Sequence, residues 1–129
     1  MIEIDSSKNV PIYEQIIWKI KELCLLGVLR SGEKLPSVRE LSAMIVANPN
    51  TVSKAYRELE RQGIIETRHG KGTFVAVKPS KKATPQQKEA IKERLQRVVI
   101  DAIFSNIRLE EIQGWLKEEY AKMGGVHGA

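Results

Sequence analysis

Residues 37–77 leave this chain few folds to choose from. Ser37-Val38-Arg39-Glu40 has the capping-box pattern, in which the Ser hydroxyl and the Glu carboxylate each reach a free backbone N–H of a helix's first turn. Val38, Leu41 and Ile45 then share one face of a helix of about three turns at most. Ala47-Asn48-Pro49-Asn50 is rich in turn and cap residues, and Asn50 is placed to cap a further helix over residues 51–62. Val52, Ala55, Tyr56 and Leu59, at i, i+3, i+4 and i+7, give that helix an apolar stripe, while Thr51, Ser53, Lys54, Arg57 and Arg61 take the opposite face. Gly63 is placed to end it. Residues 64–68 and 73–77 are β-branched or aromatic-rich runs around His69-Gly70-Lys71-Gly72, whose glycines permit a tight hairpin turn. Two helices across a tight turn, followed by a hairpin, make a winged helix-turn-helix once a helix precedes them.

Pro11 opens such a helix. Ile12, Ile16, Ile20 and Cys24 recur at helical spacing beside Tyr13, Ile17 and Leu23, and Gly27 closes the run. Before it, Ile2 and Ile4 alternate like an edge strand, and after it residues 29–36 read as a turn. Beyond the hairpin, Lys78-Pro79-Ser80-Lys81-Lys82-Ala83 has a linker's composition. A second capping box, Thr84-Pro85-Gln86-Gln87, starts a fourth helix with the stripe Ile91, Leu95, Val98, Val99, Ala102 and Ile103. Ser105-Asn106 interrupts it, and a fifth helix carries Leu109, Ile112, Leu116, Tyr120 and Met123 with Trp115 adjacent. Two helices cannot bury both stripes alone, so they call for a partner. The same segment of a second chain completes a two-fold four-helix arrangement through Ile91, Leu95, Val98, Val99, Ile103, Ile112, Trp115, Leu116 and Tyr120. The expected fold is mainly α with a small β-hairpin. It comprises a winged helix-turn-helix domain over residues 1–77, a linker over 78–83, a two-helix C-terminal dimerisation segment over 84–123 and a flexible, glycine-rich tail over 124–129.

Charge sharpens this picture. Of 129 residues 21 are Lys or Arg and 16 Asp or Glu, a formal net charge of +5. Residues 1–50 and 83–129 are each neutral, so the whole excess lies in residues 51–82. There Lys54, Arg57, Arg61, Arg68, Lys71, Lys78, Lys81 and Lys82 face only Glu58, Glu60 and Glu66. Such a cluster suits a polyanion. A helix fits a major groove, and a tip narrowed by Gly70 fits a minor groove flanked by phosphates. On this charge map, Lys54, Arg57, Arg61, Arg68 and Lys71 supply sequence-independent affinity by counterion release.

Other classes are poorly served. One Cys and two His suffice neither for an internal disulfide nor for a Cys/His zinc site. Cys24 continues an apolar stripe and reads as a small hydrophobe. The glycine-rich loop lacks the following helix that a nucleotide-binding loop needs, and no nucleophile–base pair stands out. The reading is therefore not an enzyme, with no metal and no cofactor. The acidic start Met1-Ile2-Glu3-Ile4-Asp5 and the lack of an apolar run near 18 residues point to a cytoplasmic protein with no membrane partner.

Four ordered blocks carry a resemblance. They are Pro11-Ile12-Tyr13-Glu14-Gln15-Ile16; Gly32-Glu33-Lys34-Leu35-Pro36-Ser37-Val38-Arg39-Glu40-Leu41; Asn50-Thr51-Val52-Ser53-Lys54-Ala55-Tyr56-Arg57-Glu58-Leu59; and Gly63-Ile64-Ile65 with His69-Gly70-Lys71-Gly72-Thr73-Phe74-Val75. Over residues 8–77 the chain resembles GntR-type bacterial transcription regulators, and its short helical remainder resembles the YtrA-type subfamily, whose members carry two helices in place of a large effector domain. The resemblance implies DNA-binding roles: Arg39 on a base; Asn50, Thr51, Ser53 and Lys54 on bases and phosphates; and Gly70 in a minor groove. Ser37, Arg57, His69 and Lys71, read from the residues themselves, complete the candidate DNA-binding surface. Many relatives read Arg-Thr-Thr-Val-Arg where this chain has Pro49-Asn50-Thr51-Val52-Ser53, so two arginines are absent and the relatives' operator does not carry over. The implied function is a homodimeric transcriptional regulator, a repressor on an inverted repeat in double-stranded DNA. A small-molecule effector of unidentified chemistry would sit at the dimer interface or beside the linker. The alternative is a protein-interaction module, which duplex binding at low salt distinguishes.

Overall fold

The apolar stripes set out by residue spacing converge on one core in a computed structural model that describes residues 2–77 and 82–124. Its elements are α1 (Ile12–Leu25), α2 (Val38–Ile45), α3 (Pro49–Arg61), β1 (Ile65–Arg68), β2 (Gly72–Val75), α4 (Pro85–Phe104) and α5 (Leu109–Lys122). They fall into two compact units, Met1–Val77 and Lys78–Ala129. Most of the predicted linker, 78–83, and of the predicted tail, 124–129, lies outside the described residues.

In the first unit Ile16 and Ile20 of α1, Leu41 of α2, and Val52, Ala55 and Leu59 of α3 are wholly buried. Leu35, Ile65 and Val75 close the core from the hairpin side. Cys24 packs at its edge, where burial, and after it the Glu33 charge, pushes the thiol pKa up, as suits an inert hydrophobe. Tyr56 is also in the core, and its hydroxyl donates to the Pro36 carbonyl at 2.6 Å. Desolvation lifts that phenol to about 12, so it stays a donor tying α3 to the start of α2.

Caps set the helix starts. The Ser37 hydroxyl accepts the Glu40 N–H at 3.1 Å and the Glu40 carboxylate accepts the Ser37 N–H at 2.9 Å, completing the box that starts α2. For α3 the expected cap is displaced: Asn48, not Asn50, is the N-cap, its side chain accepting the Asn50 N–H at 2.8 Å. Pro49 decides this, because a proline's fixed φ and missing N–H suit the first helical position. Asn50 therefore sits in the first turn with its side chain released from capping. The expected edge strand at Ile2 and Ile4 is also corrected. Ile2 is buried in the core and Ile4 packs on it, but the segment forms no strand. Gln15 holds it instead, accepting the Asp5 N–H at 2.9 Å and donating to the carbonyls of Asp5 and Val10.

The hairpin pairs Ile65 with Val75, Glu66 with Phe74, Thr67 with Thr73 and Arg68 with Gly72. Residues 32–35, expected as part of a plain turn, lie along its other edge. Lys34 bridges Phe74, with Leu35 N–H to the Thr73 carbonyl and Val75 N–H to the Glu33 carbonyl, both at 2.8 Å. Gly72 has φ +121°, a backbone that only glycine holds without strain, and a Cβ there would meet Lys34 Cε at 2.9 Å.

Val46, the C-cap of α2, is left-handed at φ +54° and 90% exposed. A β-branched residue in that region costs roughly 1–2 kcal/mol, and this one has little packing to lose. Val46→Gly or Val46→Asn is therefore expected to stabilise the fold by about 1 kcal/mol, read as a higher thermal midpoint. A lower midpoint for both would show that the Val side chain holds the turn.

In the second unit a capping box between Thr84 and Gln87 starts α4, and Asn106, at φ +57°, turns the chain toward α5. The two helices scarcely pack on each other, and Ala102 is the one buried residue on them among the described residues.

Candidate nucleic-acid interface

The tight turn between α2 and α3 and the hairpin after α3 leave one face of α3 uncovered. Asn50, Lys54 and Arg57 are exposed there, with Thr51 and Ser53 half-buried. Arg57 donates to the Ser53 hydroxyl at 3.4 Å, a loose contact on its own helix. Ser37 and Arg39 are exposed at the start of α2, where the Ser37 side chain is engaged by the cap. The Arg39 side chain forms no ion pair or hydrogen bond among the described residues. The carboxylate beside it, Glu40, is held below its ordinary pKa by the Ser37 backbone and hydroxyl.

At the hairpin tip His69, Gly70 and Lys71 are all exposed. Gly70 takes φ +75°, and the Lys71 N–H closes the turn on the Arg68 carbonyl at 2.9 Å. With no side chain, Gly70 keeps the tip thin enough to approach a groove.

Geometry sorts the cations of this surface. Lys54 and Arg57 on α3, Arg39 on α2 and Lys71 on the wing face no carboxylate partner among the described residues. Arg61 instead grips Glu58 at 2.6 Å, and Arg68 binds Glu66 at 3.0 Å while lying 4.3 Å from the Phe74 ring centroid. Such surface pairs add little stability, yet they cancel local charge, so Arg61 and Arg68 are weaker phosphate ligands than charge alone implied. The signal was present in the sequence for Glu58 and Arg61, which stand three apart on one helix.

Arg61, and after it Gln62, holds the Glu58 carboxylate at about 2, well below its ordinary 4.5. A carboxylate depressed in the folded state stabilises above its unfolded pKa and loses that contribution as pH falls through the folded one. The difference in thermal midpoint between the parent and Glu58→Gln is therefore expected to close as pH falls from about 4.5 to about 2. A difference unchanged across that window would show that the pair does not couple to folding.

In the second unit the predicted interface residues lie open. Ile91, Leu95, Val98, Val99 and Ile103 on α4 and Trp115, Leu116 and Tyr120 on α5 are exposed, and Ile112 is half-buried. Ile100 and Phe104, absent from the predicted stripe, are also exposed and share the opposite side of α4. Among the described residues no helix is long and apolar enough to cross a membrane.

This fold and this surface define a winged helix-turn-helix regulator. Residues 12–75 match the model of bacterial regulatory proteins of the gntR family. The chain is 50% identical to the HTH-type transcriptional repressor YtrA of Bacillus subtilis (strain 168), an alignment covering 97% of this chain and 96% of that one. A crystal structure of a transcriptional antiterminator from Listeria monocytogenes EGD-e matches with a TM-score of 0.84 at 45% identity, covering 94% of this chain and 90% of that one. The AraR DNA-binding domain in complex with operator ORX1 matches with a TM-score of 0.50 at 31% identity, covering 52% of this chain and 81% of that one. The chain belongs to the gntR family: it is a transcription regulator, not an enzyme, and it resembles YtrA through the two helices after the wing as well as the domain before them.

Proposed function

We propose that this chain is a repressor that acts as a homodimer on an inverted repeat. Two copies pair through α4 and α5, each α3 enters a major groove, and each wing tip reaches an adjacent minor groove. One observation carries the reading: among the described residues α3, the start of α2 and the wing tip present Lys54, Arg57, Arg39 and Lys71 without carboxylate partners, while Arg61 and Arg68 are paired. Similarity to a protein named as a transcriptional repressor, and to a domain held on an operator, supports it. Phosphate contacts from Lys54, Arg57 and Lys71 set affinity, and base contacts from Arg39, Asn50, Thr51 and Ser53 set specificity. A dimer on the operator excludes polymerase, and work on chromosomal DNA places it in the cytoplasm. A small-molecule effector bound at the dimer interface or beside the linker would act by changing half-site spacing.

Selection from a random duplex pool tests this directly. The expected product is an inverted repeat with half-sites about one helical turn apart or a multiple of it. Bound duplexes without two-fold symmetry would sink the dimeric reading, and no duplex binding at low salt would favour a protein-interaction module. Lys71→Ala is expected to weaken operator and random duplex alike and to flatten the salt dependence by about one unit for each wing. An unchanged slope removes the wing from the phosphate contacts.

A further inference from the structure

Lys54, Glu58 and Arg61 recur at i, i+4 and i+7 along one edge of α3. On an isolated helix Lys54 would pair with Glu58 one turn on, and its charge would be cancelled. Here Glu58 is already taken. Arg61 donates to it through Nε and Nη2 at 2.9 and 2.6 Å, and Gln62 through Nε2 at 2.7 Å. Gln62 is secured in turn by Lys21 of α1, Nζ to Oε1 at 2.7 Å. Lys54 reaches toward α1 instead, where its ammonium lies 4.5 Å from the centroid of the Tyr13 ring. Tyr13 packs against the core, so the ring is a fixed platform. A ring face attracts an ammonium through its quadrupole and leaves both the charge and the N–H donors available. A carboxylate takes both.

We propose that Tyr13 is a positioning residue for DNA binding, holding the Lys54 ammonium ordered and uncompensated for a backbone phosphate. This rests on the reading of α3 as the DNA-facing helix. A lysine ordered beforehand loses less rotamer freedom when it meets its phosphate.

The test titrates the full chain onto a mixed-sequence duplex of about 30 base pairs at low salt, by fluorescence anisotropy, across a salt series. Thermal melts accompany each variant. Lys54→Ala is expected to weaken binding and flatten the salt slope by about one unit for each bound copy of the chain. Tyr13→Leu is expected to weaken binding roughly threefold, and Tyr13→Phe, which keeps the ring, to bind like the parent. Placed in the Lys54→Ala background, Tyr13→Leu should cost nothing further. Three results overturn the proposal on its own. If Tyr13→Phe binds as weakly as Tyr13→Leu, the hydroxyl touches DNA itself; if the loss persists without Lys54, the ring serves the fold; and if Tyr13→Leu binds like the parent, nothing is positioned. Should Tyr13→Leu melt early, Tyr13→Met repeats the measurement. Lys54→Ala binding like the parent would instead defeat the DNA-facing reading of this edge of α3, and the role of Tyr13 with it.

Discussion

Arg39→Ala is expected to remove most of the discrimination between operator and random duplex while leaving folding and random-duplex affinity nearly unchanged. Arg39 stands in the first turn of α2, exposed and unpaired among the described residues, so its removal strands no buried partner. The cap of that helix is made by Ser37 and Glu40, which the substitution leaves intact. Alanine is also the better helix former, so stability should move by less than about 0.5 kcal/mol. A guanidinium forked on a guanine is worth roughly 1–3 kcal/mol of discrimination. In the proposed symmetric dimer that contact is made twice, so the operator preference should fall about a hundredfold or more. Arg39→Lys should recover only part of it, because an ammonium has no planar fork. The measurement is affinity for the selected operator against a scrambled duplex at one salt concentration. An equal loss on both would make Arg39 a phosphate ligand and overturn its assignment to a base.

How far the fold could be read from the sequence depended on whether the deciding interaction was local. The boxes at Ser37 and Thr84 are local, and the structure has both. The start of α3 was local as well, but Asn48 and Asn50 are both good caps, and the rule that prefers proline at the first helical position had to choose between them. The burial of Tyr56 and Leu59 followed from spacing. No spacing rule puts a β-branched residue in the left-handed region, so the strain at Val46 is seen only in the structure. The same holds for contacts between elements. Lys34 beside Phe74 needs the register of β2, and Lys54 over Tyr13 needs the packing of α1 against α3. Counting charge singled out residues 51–82 but could not tell Lys71, which faces no carboxylate among the described residues, from Arg68, which is paired. Electrostatic availability is a property of neighbours, and neighbours across elements are set by the fold.

Leu95→Asp is expected to break the proposed dimer and, with it, tight operator binding. Ile91, Leu95 and Val98 line one side of α4 and are 55, 51 and 52% exposed in the single chain. Because α4 and α5 scarcely pack on each other, that apolar surface stays in water in the single chain, and in the proposed homodimer a second copy covers it. Burial worth about 25 cal/mol per Å² then drives association. In a two-fold interface each substitution appears twice, and burying an unpaired carboxylate costs several kcal/mol apiece, enough to weaken a micromolar dimer beyond about a thousandfold. The helix itself should survive, since aspartate costs an exposed helix only about 0.7 kcal/mol relative to alanine. Sedimentation at micromolar concentration should show monomer for the variant and dimer for the parent. Operator affinity should drop by roughly 10²–10⁴, the advantage of engaging two half-sites at once, while binding to random duplex at low salt persists because each first unit keeps its own cations. Arg97→Asp makes a larger charge change on the far side of the same helix and should remain dimeric. If it dissociates as well, or if Leu95→Asp sediments as a dimer, the stripe through Leu95 is not the surface that joins the two copies.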